Sequence, residues 1–129
     1  MKVTHIDHIG IRVRDADRAL GFYAHFGFKL IMAAEGEPIY IIRSDDGAEL
    51  NLVVNANADG NDNILMDVAE KYAGITHVAL GVKAVEPAIQ ELSGLGIEPS
   101  DGPVRLGAGT SVFYRDPDRN VVELRAEDP

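Results

Sequence analysis

Hydrophobic and polar positions fall into the same order twice along the chain. From His5 to Val13 the apolar residues Ile9, Ile11 and Val13 alternate with His8, Gly10 and Arg12, and a period of two predicts a strand. From Ala16 to Phe26 the spacing lengthens. Leu20, Tyr23 and Phe26 recur at three-residue steps, which predicts an amphipathic helix. Asp15 stands where an N-cap would accept from the first turn, and Gly27 where a left-handed C-terminal residue would close the helix. Three short strands follow, at Lys29 to Ala33, Pro38 to Arg43 and Ala48 to Asn55. The grammar then restarts with a strand from Thr76 to Val82 and a helix from Val85 to Leu95, whose stripe is Ile89, Leu92 and Leu95. Pro87 falls in its first turn and Gly96 at its end, both tolerated positions. Strands at Glu98 to Ser100, Ser111 to Arg115 and Asn120 to Arg125 complete the second half, so each half reads βαβββ.

The repetition extends to residue identity. At an offset of 69, Ile6-Asp7-His8-Ile9-Gly10-Ile11 falls on Ile75-Thr76-His77-Val78-Ala79-Leu80, and Gly27 falls on Gly96. With a few extra residues in the second copy, Ala48-Glu49-Leu50 falls on Val122-Glu123-Leu124. The halves span about residues 1–55 and 75–129, and a linker of residues 56–74 opens with turns at Asn57 to Asn63 and continues as a short helix at Ile64 to Tyr72. A half of roughly 55–60 residues is marginal as a separate core, so one domain over 1–129 is expected. The fold class is α+β, two βαβββ modules forming a cupped mixed sheet.

Strand alternation assigns faces. Ile9, Ile11 and Val13 pack, leaving His8, Gly10 and Arg12. Val78, Leu80 and Val82 pack, leaving His77, Ala79 and Gly81. Leu50, Leu52 and Val54 pack, leaving Glu49, Asn51 and Val53, and Val122 and Leu124 pack, leaving Val121, Glu123 and Arg125. His8, Glu49, His77 and Glu123 are thus all assigned to the face away from the helices, one His and one Glu per half, with small residues beside them. Neutral imidazoles and ionised carboxylates suit a divalent ion such as Ni, Co, Zn, Mn or Fe. Two carboxylates offset its charge, and four protein ligands leave two positions of an octahedron for a bidentate substrate. His5 falls on the opposite strand face and His25 on the first helix. The Gly-rich stretch from Gly102 to Gly109 reads as a loop, either a mobile flap or a surface feature.

Composition narrows the partners. With 46% hydrophobic and 26% charged residues the chain has the balance of a globular protein. Its net charge of −9, from 21 acids against 12 bases, opposes binding to nucleic acid or anionic membranes and leaves a small molecule as the expected ligand. No cysteine is present, which removes thiolate ligands and cysteine nucleophiles. No apolar run approaches the ~18 residues of a membrane span, and the first residues lack the apolar core of a signal peptide, so the expected address is the cytoplasm.

These segments resemble the vicinal oxygen chelate superfamily, which includes glyoxalase I, fosfomycin and bleomycin resistance proteins, methylmalonyl-CoA epimerase and extradiol dioxygenases. The resemblance rests on His8-Ile9-Gly10-Ile11-Arg12-Val13-Arg14-Asp15 with Phe22-Tyr23 and Phe26-Gly27-Phe28. It continues in Ile75 through Val82, and in Phe113-Tyr114-Arg115-Asp116-Pro117-Asp118-Arg119-Asn120-Val121-Val122-Glu123-Leu124. The order His–Glu–His–Glu is similar to bacterial glyoxalase I. The resemblance implies one divalent metal held by His8, Glu49, His77 and Glu123, catalytic roles for Glu123 and Glu49, and substrate binding by Arg12 and Asn51. Arg12 matches the arginine that glyoxalase I places on the γ-glutamyl carboxylate of glutathione. Three features depart from glyoxalase I: Val53 stands four residues past Glu49 where that enzyme has Asn, with Asn51 and Asn55 nearby, Ala73 stands where the eukaryotic enzyme has Arg, and the Gly102 to Gly109 stretch lacks the Lys-rich pattern of that enzyme's flap.

The implied activity is that of a glyoxalase I-like lyase or isomerase. Such an enzyme acts through an enediolate on a small vicinal-oxygen substrate such as a hemithioacetal, with Glu123 as the base. Two alternatives stand beside it. One is an Fe(II) extradiol-type dioxygenase with His8, His77 and Glu123 as a facial triad. The other is a non-catalytic drug- or metabolite-binding resistance protein. The resemblance also implies a homodimer, with sites built within one chain or across two.

Overall fold

The computed structural model describes all residues, 1–129, and divides them into two compact units, Met1–Asn61 and Asp62–Pro129. In the first, β1 (Ile9–Arg12), α1 (Ala16–Ala24), β2 (Lys29–Ala33), β3 (Ile39–Arg43) and β4 (Glu49–Val53) form a four-stranded sheet in the order β1-β4-β3-β2. In the second, β5 (Val78–Gly81), α2 (Val85–Gly94), β6 (Asp101–Leu106), β7 (Gly109–Arg115) and β8 (Val121–Glu127) repeat that order as β5-β8-β7-β6. In both units the first strand runs parallel to the last and the remaining pairs are antiparallel. Each unit is therefore the expected βαβββ module of an α+β fold.

The helices form where the periodicity places them, and their ends have local causes. The Asp15 carboxylate accepts from the Arg18 amide at 2.7 Å, the N-cap bond that satisfies a first-turn donor. At the other end Gly27 takes φ +88°, and Phe28 N–H reaches back to the Tyr23 carbonyl at 3.1 Å. Gly96, at φ +82°, allows the same closure between Ile97 and Leu92. A side chain at either glycine would meet the left-handed penalty.

The alternation separates core from surface as expected. In the first unit Ile11, Val13, Ala19, Tyr23, Phe28, Ile42, Leu50 and Leu52 are buried. In the second the buried set is Val78, Val85, Leu92, Val112, Tyr114, Val122, Leu124 and Ala126. Leu95, expected on the apolar stripe of the second helix, is instead exposed, because the helix ends at Gly94 and Leu95 lies beyond its packed face, and Leu30, Ile31 and Met32 of the edge strand β2 are exposed as well.

Three further expectations are corrected. Glu98 to Ser100 is not a strand. The Gly-rich stretch expected as a loop is instead β6 followed by the tight turn into β7, with Leu106 opposite Gly109. All six residues of β6 are exposed, so no apolar alternation marks this edge strand. The helix expected at Ile64 to Tyr72 is also absent, and only a turn forms, with Asp67 and Val68 amides donating to the Ile64 carbonyl. Ile64, Met66 and Tyr72 stay exposed, so no apolar face is buried that would stabilise so short a helix.

Asp67 in that turn is held from outside. Arg115 donates to it at 2.9 Å and Arg119 at 2.8 and 2.9 Å, both in bidentate contact. Arg119 takes φ +65°, where a non-glycine residue is strained, and its guanidinium is anchored on Asp67. The hydrogen bond from Arg119 is the main cause that holds the Asp67 carboxyl down, to about 2 from 3.8. A depressed folded-state value stabilises the fold above the unfolded value, and that stability is lost as pH falls from about 5 towards 2. Because the pair is partly exposed, screening reduces the effect to about 1 kcal/mol. Urea titrations of the wild type and of Asp67→Asn are expected to differ by that amount at pH 7 and to converge near pH 2.

Candidate functional site

β1 and β4 bring one half of the expected donor set together, and β5 and β8 the other. In the first unit His8 lies just before β1 and Glu49 at the start of β4, and ligand atoms of Asp7, His8 and Glu49 all lie within 4.8 Å of one another. His8 Nδ1 is 2.7 Å from Asp7 Oδ1. An Nδ1–H that donates to this carboxylate leaves Nε2 with its lone pair free to ligate. The contact with His8 is also the main cause that lowers the Asp7 carboxyl below the usual aspartate range. Asp7 was not singled out from the sequence, since an exposed acid beside a histidine carries no periodic signal. Glu49 has a second partner: Arg43, opposite it on β3, donates to Oε1 at 2.6 and 3.1 Å.

In the second unit His77 Nε2 stands 3.1 Å from Glu123 Oε1. That is close to the ~3 Å separating neighbouring ligand atoms around an ion with bonds of about 2.1 Å. His77 is oriented through its other nitrogen, Nδ1 lying 2.8 Å from Thr76 Oγ1. Glu123 is 6% exposed, and a carboxylate so buried needs partners. Its Oε2 accepts from the Ser111 hydroxyl at 2.9 Å, and Ser111 Oγ in turn accepts from Arg125 at 3.1 Å. Ser111 is fully buried and was also missed, because a serine in a strand carries no distinguishing pattern.

The register corrects how the two halves correspond. Gly10 pairs with Asn51, and Ala79, its counterpart in the repeat, pairs with Glu123. Asn51 lies between Gly10 and Ile41, as Glu123 lies between Ala79 and Phe113. Asn51 therefore holds the register place of Glu123, and Glu49 that of Val121, two residues from the alignment expected from the sequence. Because the strand period is two, Glu49 and Asn51 share a face, and alternation alone does not separate them. The Asn51 Oδ1 atom is buried and has no hydrogen-bond partner. Arg12, on the same face, donates to Asn55 Oδ1 at 3.1 Å.

The space beside these groups is open. A Cβ at Gly81 would meet nothing within 4 Å, and one at Gly10 only Val53 at 4.0 Å. In the second unit a cleft of about 480 Å³ is lined by His77, Phe113, Val121, Met66, Arg115 and Arg119, among others. It offers an apolar wall and an imidazole to a small molecule, and its two guanidiniums are paired with Asp67.

The profile of the Glyoxalase/Bleomycin resistance protein/Dioxygenase superfamily matches residues 5–124. The chain belongs to this superfamily, the vicinal oxygen chelate proteins. Among curated relatives it is 30% identical over 134 residues to the uncharacterized protein YwkD of Bacillus subtilis (strain 168), covering 96% of this chain and 98% of that protein. A glyoxalase/dioxygenase from Nostoc punctiforme superposes with a TM-score of 0.75 at 19% identity, over 97% of this chain and 92% of its own. The fosfomycin resistance protein FosX from Listeria monocytogenes gives a TM-score of 0.73 at 18% identity, over 98% and 94%. Both likenesses concern the fold. Members of the superfamily typically bind a divalent metal and act on small molecules. The imidazole and carboxylate donors of this vicinal oxygen chelate protein suit such an ion. No helix of the chain is long and apolar enough to cross a membrane.

Proposed function

We propose that this chain is a divalent-metal-dependent lyase or isomerase of the glyoxalase I type, with His8, Glu49, His77 and Glu123 as ligands. The observation that carries the reading is the His77–Glu123 pair, a buried carboxylate with one oxygen tied to Ser111 and the other turned to an imidazole nitrogen. When bound, the ion supplies Lewis acidity that stabilises negative charge on two neighbouring substrate oxygens. Glu123 removes the α-proton with Oε1, the oxygen not held by Ser111, and returns it to the adjacent carbon, as a general base and then an acid. Arg12 and Asn51 bind the substrate's polar groups. A thiol adduct is one such substrate, and the protein works as a homodimer.

A second reading is favoured by the Arg43–Glu49 ion pair, which occupies one carboxylate and leaves His8, His77 and Glu123 as a three-ligand set. That set suits Fe(II) and an extradiol-type oxygenase.

Elemental analysis of the purified protein, followed by assays of the Ni- or Co-loaded and Fe(II)-loaded forms, tests both. The first reading expects about one transition metal per chain and isomerisation of a methylglyoxal–thiol hemithioacetal without oxygen consumption. The second expects oxygen uptake with Fe(II) and a catechol. A protein that takes up none of these ions would sink both and leave a binding protein.

A further inference from the structure

The Glu123 carboxylate is built into a chain of hydrogen bonds that begins at the β6–β7 turn. Arg125 donates to the Leu106 carbonyl at 2.7 Å and to Ser111 Oγ at 3.1 Å. The turn is shaped around that guanidinium, since a Cβ at Gly109 would come within 2.9 Å of Arg125 Nη2 and 2.7 Å of the Ala126 carbonyl oxygen. Ser111, across the ladder from Arg125, is fully buried and passes the polarity on by donating to Glu123 Oε2 at 2.9 Å. With its oxygen accepting from Arg125, the hydroxyl's single proton is directed to Glu123. One carboxylate oxygen is thereby fixed and satisfied, and the other, Oε1, faces His77 Nε2 at 3.1 Å.

We infer that Ser111 is a positioning residue for the metal centre, holding Oε2 of Glu123 so that Oε1 alone is presented as a ligand, with Arg125 setting the direction of the serine hydroxyl. The inference rests on the reading of Glu123 as a metal ligand. Removing the hydroxyl frees the carboxylate to rotate and leaves Oε2 without its donor, which weakens a centre whose ligand geometry it held. No volume is added by Ser111→Ala, so the core beside it keeps its packing.

The test is Co(II) titration of the wild type, Ser111→Ala, Ser111→Thr and Glu123→Gln, followed by calorimetry and by the visible absorption of bound Co(II). Ser111→Ala is expected to bind about 10-fold more weakly and with an altered Co(II) spectrum, an effect of the size known for outer partners of metal ligands. Ser111→Thr, which keeps the hydroxyl, is expected to restore both, and the metal-free thermal unfolding of Ser111→Ala should stay close to wild type. Wild-type affinity and spectrum in Ser111→Ala, alongside weakened binding by Glu123→Gln, would overturn the inference and leave the metal reading standing. Loss of affinity in Ser111→Ala that Ser111→Thr does not restore would overturn it too. Wild-type protein that binds no Co(II), or Glu123→Gln that binds as well as wild type, would overturn the metal reading and this inference with it.

Discussion

Glu123→Gln is expected to reduce Co(II) or Ni(II) affinity by about 100-fold or more, roughly 2.7 kcal/mol, while the protein stays folded. The substitution is nearly isosteric, and the glutamine carbonyl can still accept from Ser111 as Oε2 does at 2.9 Å. What is lost is the anionic oxygen 3.1 Å from His77 Nε2. An amide nitrogen there has no lone pair to offer an ion, and the charge that offsets a divalent cation disappears. Fold stability without metal should change little, since a buried charge is removed together with its desolvation cost. Calorimetric titration with far-UV circular dichroism as a control checks both halves of the expectation. Unchanged affinity would remove Glu123 from the ligand set.

Tyr23→Ala is expected to destabilise the chain by about 3–5 kcal/mol, a large share of the 5–15 kcal/mol typical of a domain. Tyr23 is completely buried on α1, and its ring meets Phe28 edge-on with centroids 6.3 Å apart and Phe22 at 5.1 Å. Its carbonyl also receives the amides that close the helix at Gly27. Truncation removes the ring and leaves a cavity whose walls are rigid strands and the helix itself. Thermal unfolding followed by circular dichroism should show a midpoint lowered by about 10 °C or more. A shift of a few degrees would mean that Phe22 and Phe28 collapse into the space.

Much of the fold was legible because both periods are strong. Ile11, Val13, Leu50 and Leu52 alternate, Ala19 and Tyr23 repeat at helical spacing, and all six are buried. Two elements were not. β6 is an edge strand with every residue exposed, so no burial pattern distinguishes it from a loop. The turn around Asp67 takes its form from Arg115 and Arg119, about 50 residues further along the chain, beyond the reach of any local pattern. At the candidate site the face of each residue was readable but the register was not. A slip of two residues preserves the alternation, so Glu49 and Asn51 exchange places without leaving a trace in it. Ser111 and Asp7 act through hydrogen bonds to the expected ligands, and such bonds have no one-dimensional signature.

In each unit the opening strand finds its parallel partner in the closing one, β1 on β4 and β5 on β8. During synthesis this imposes a schedule. The first sheet has all its strands once Val53 has left the ribosome, whereas His77 must wait for residues 121–127 before Glu123 arrives beside it. A nascent chain therefore passes through a stage at which the first sheet is complete and β5 is an unpaired strand end. Chains halted before residue 121 would carry one finished sheet and an unsatisfied edge, the species most exposed to mispairing with a neighbour.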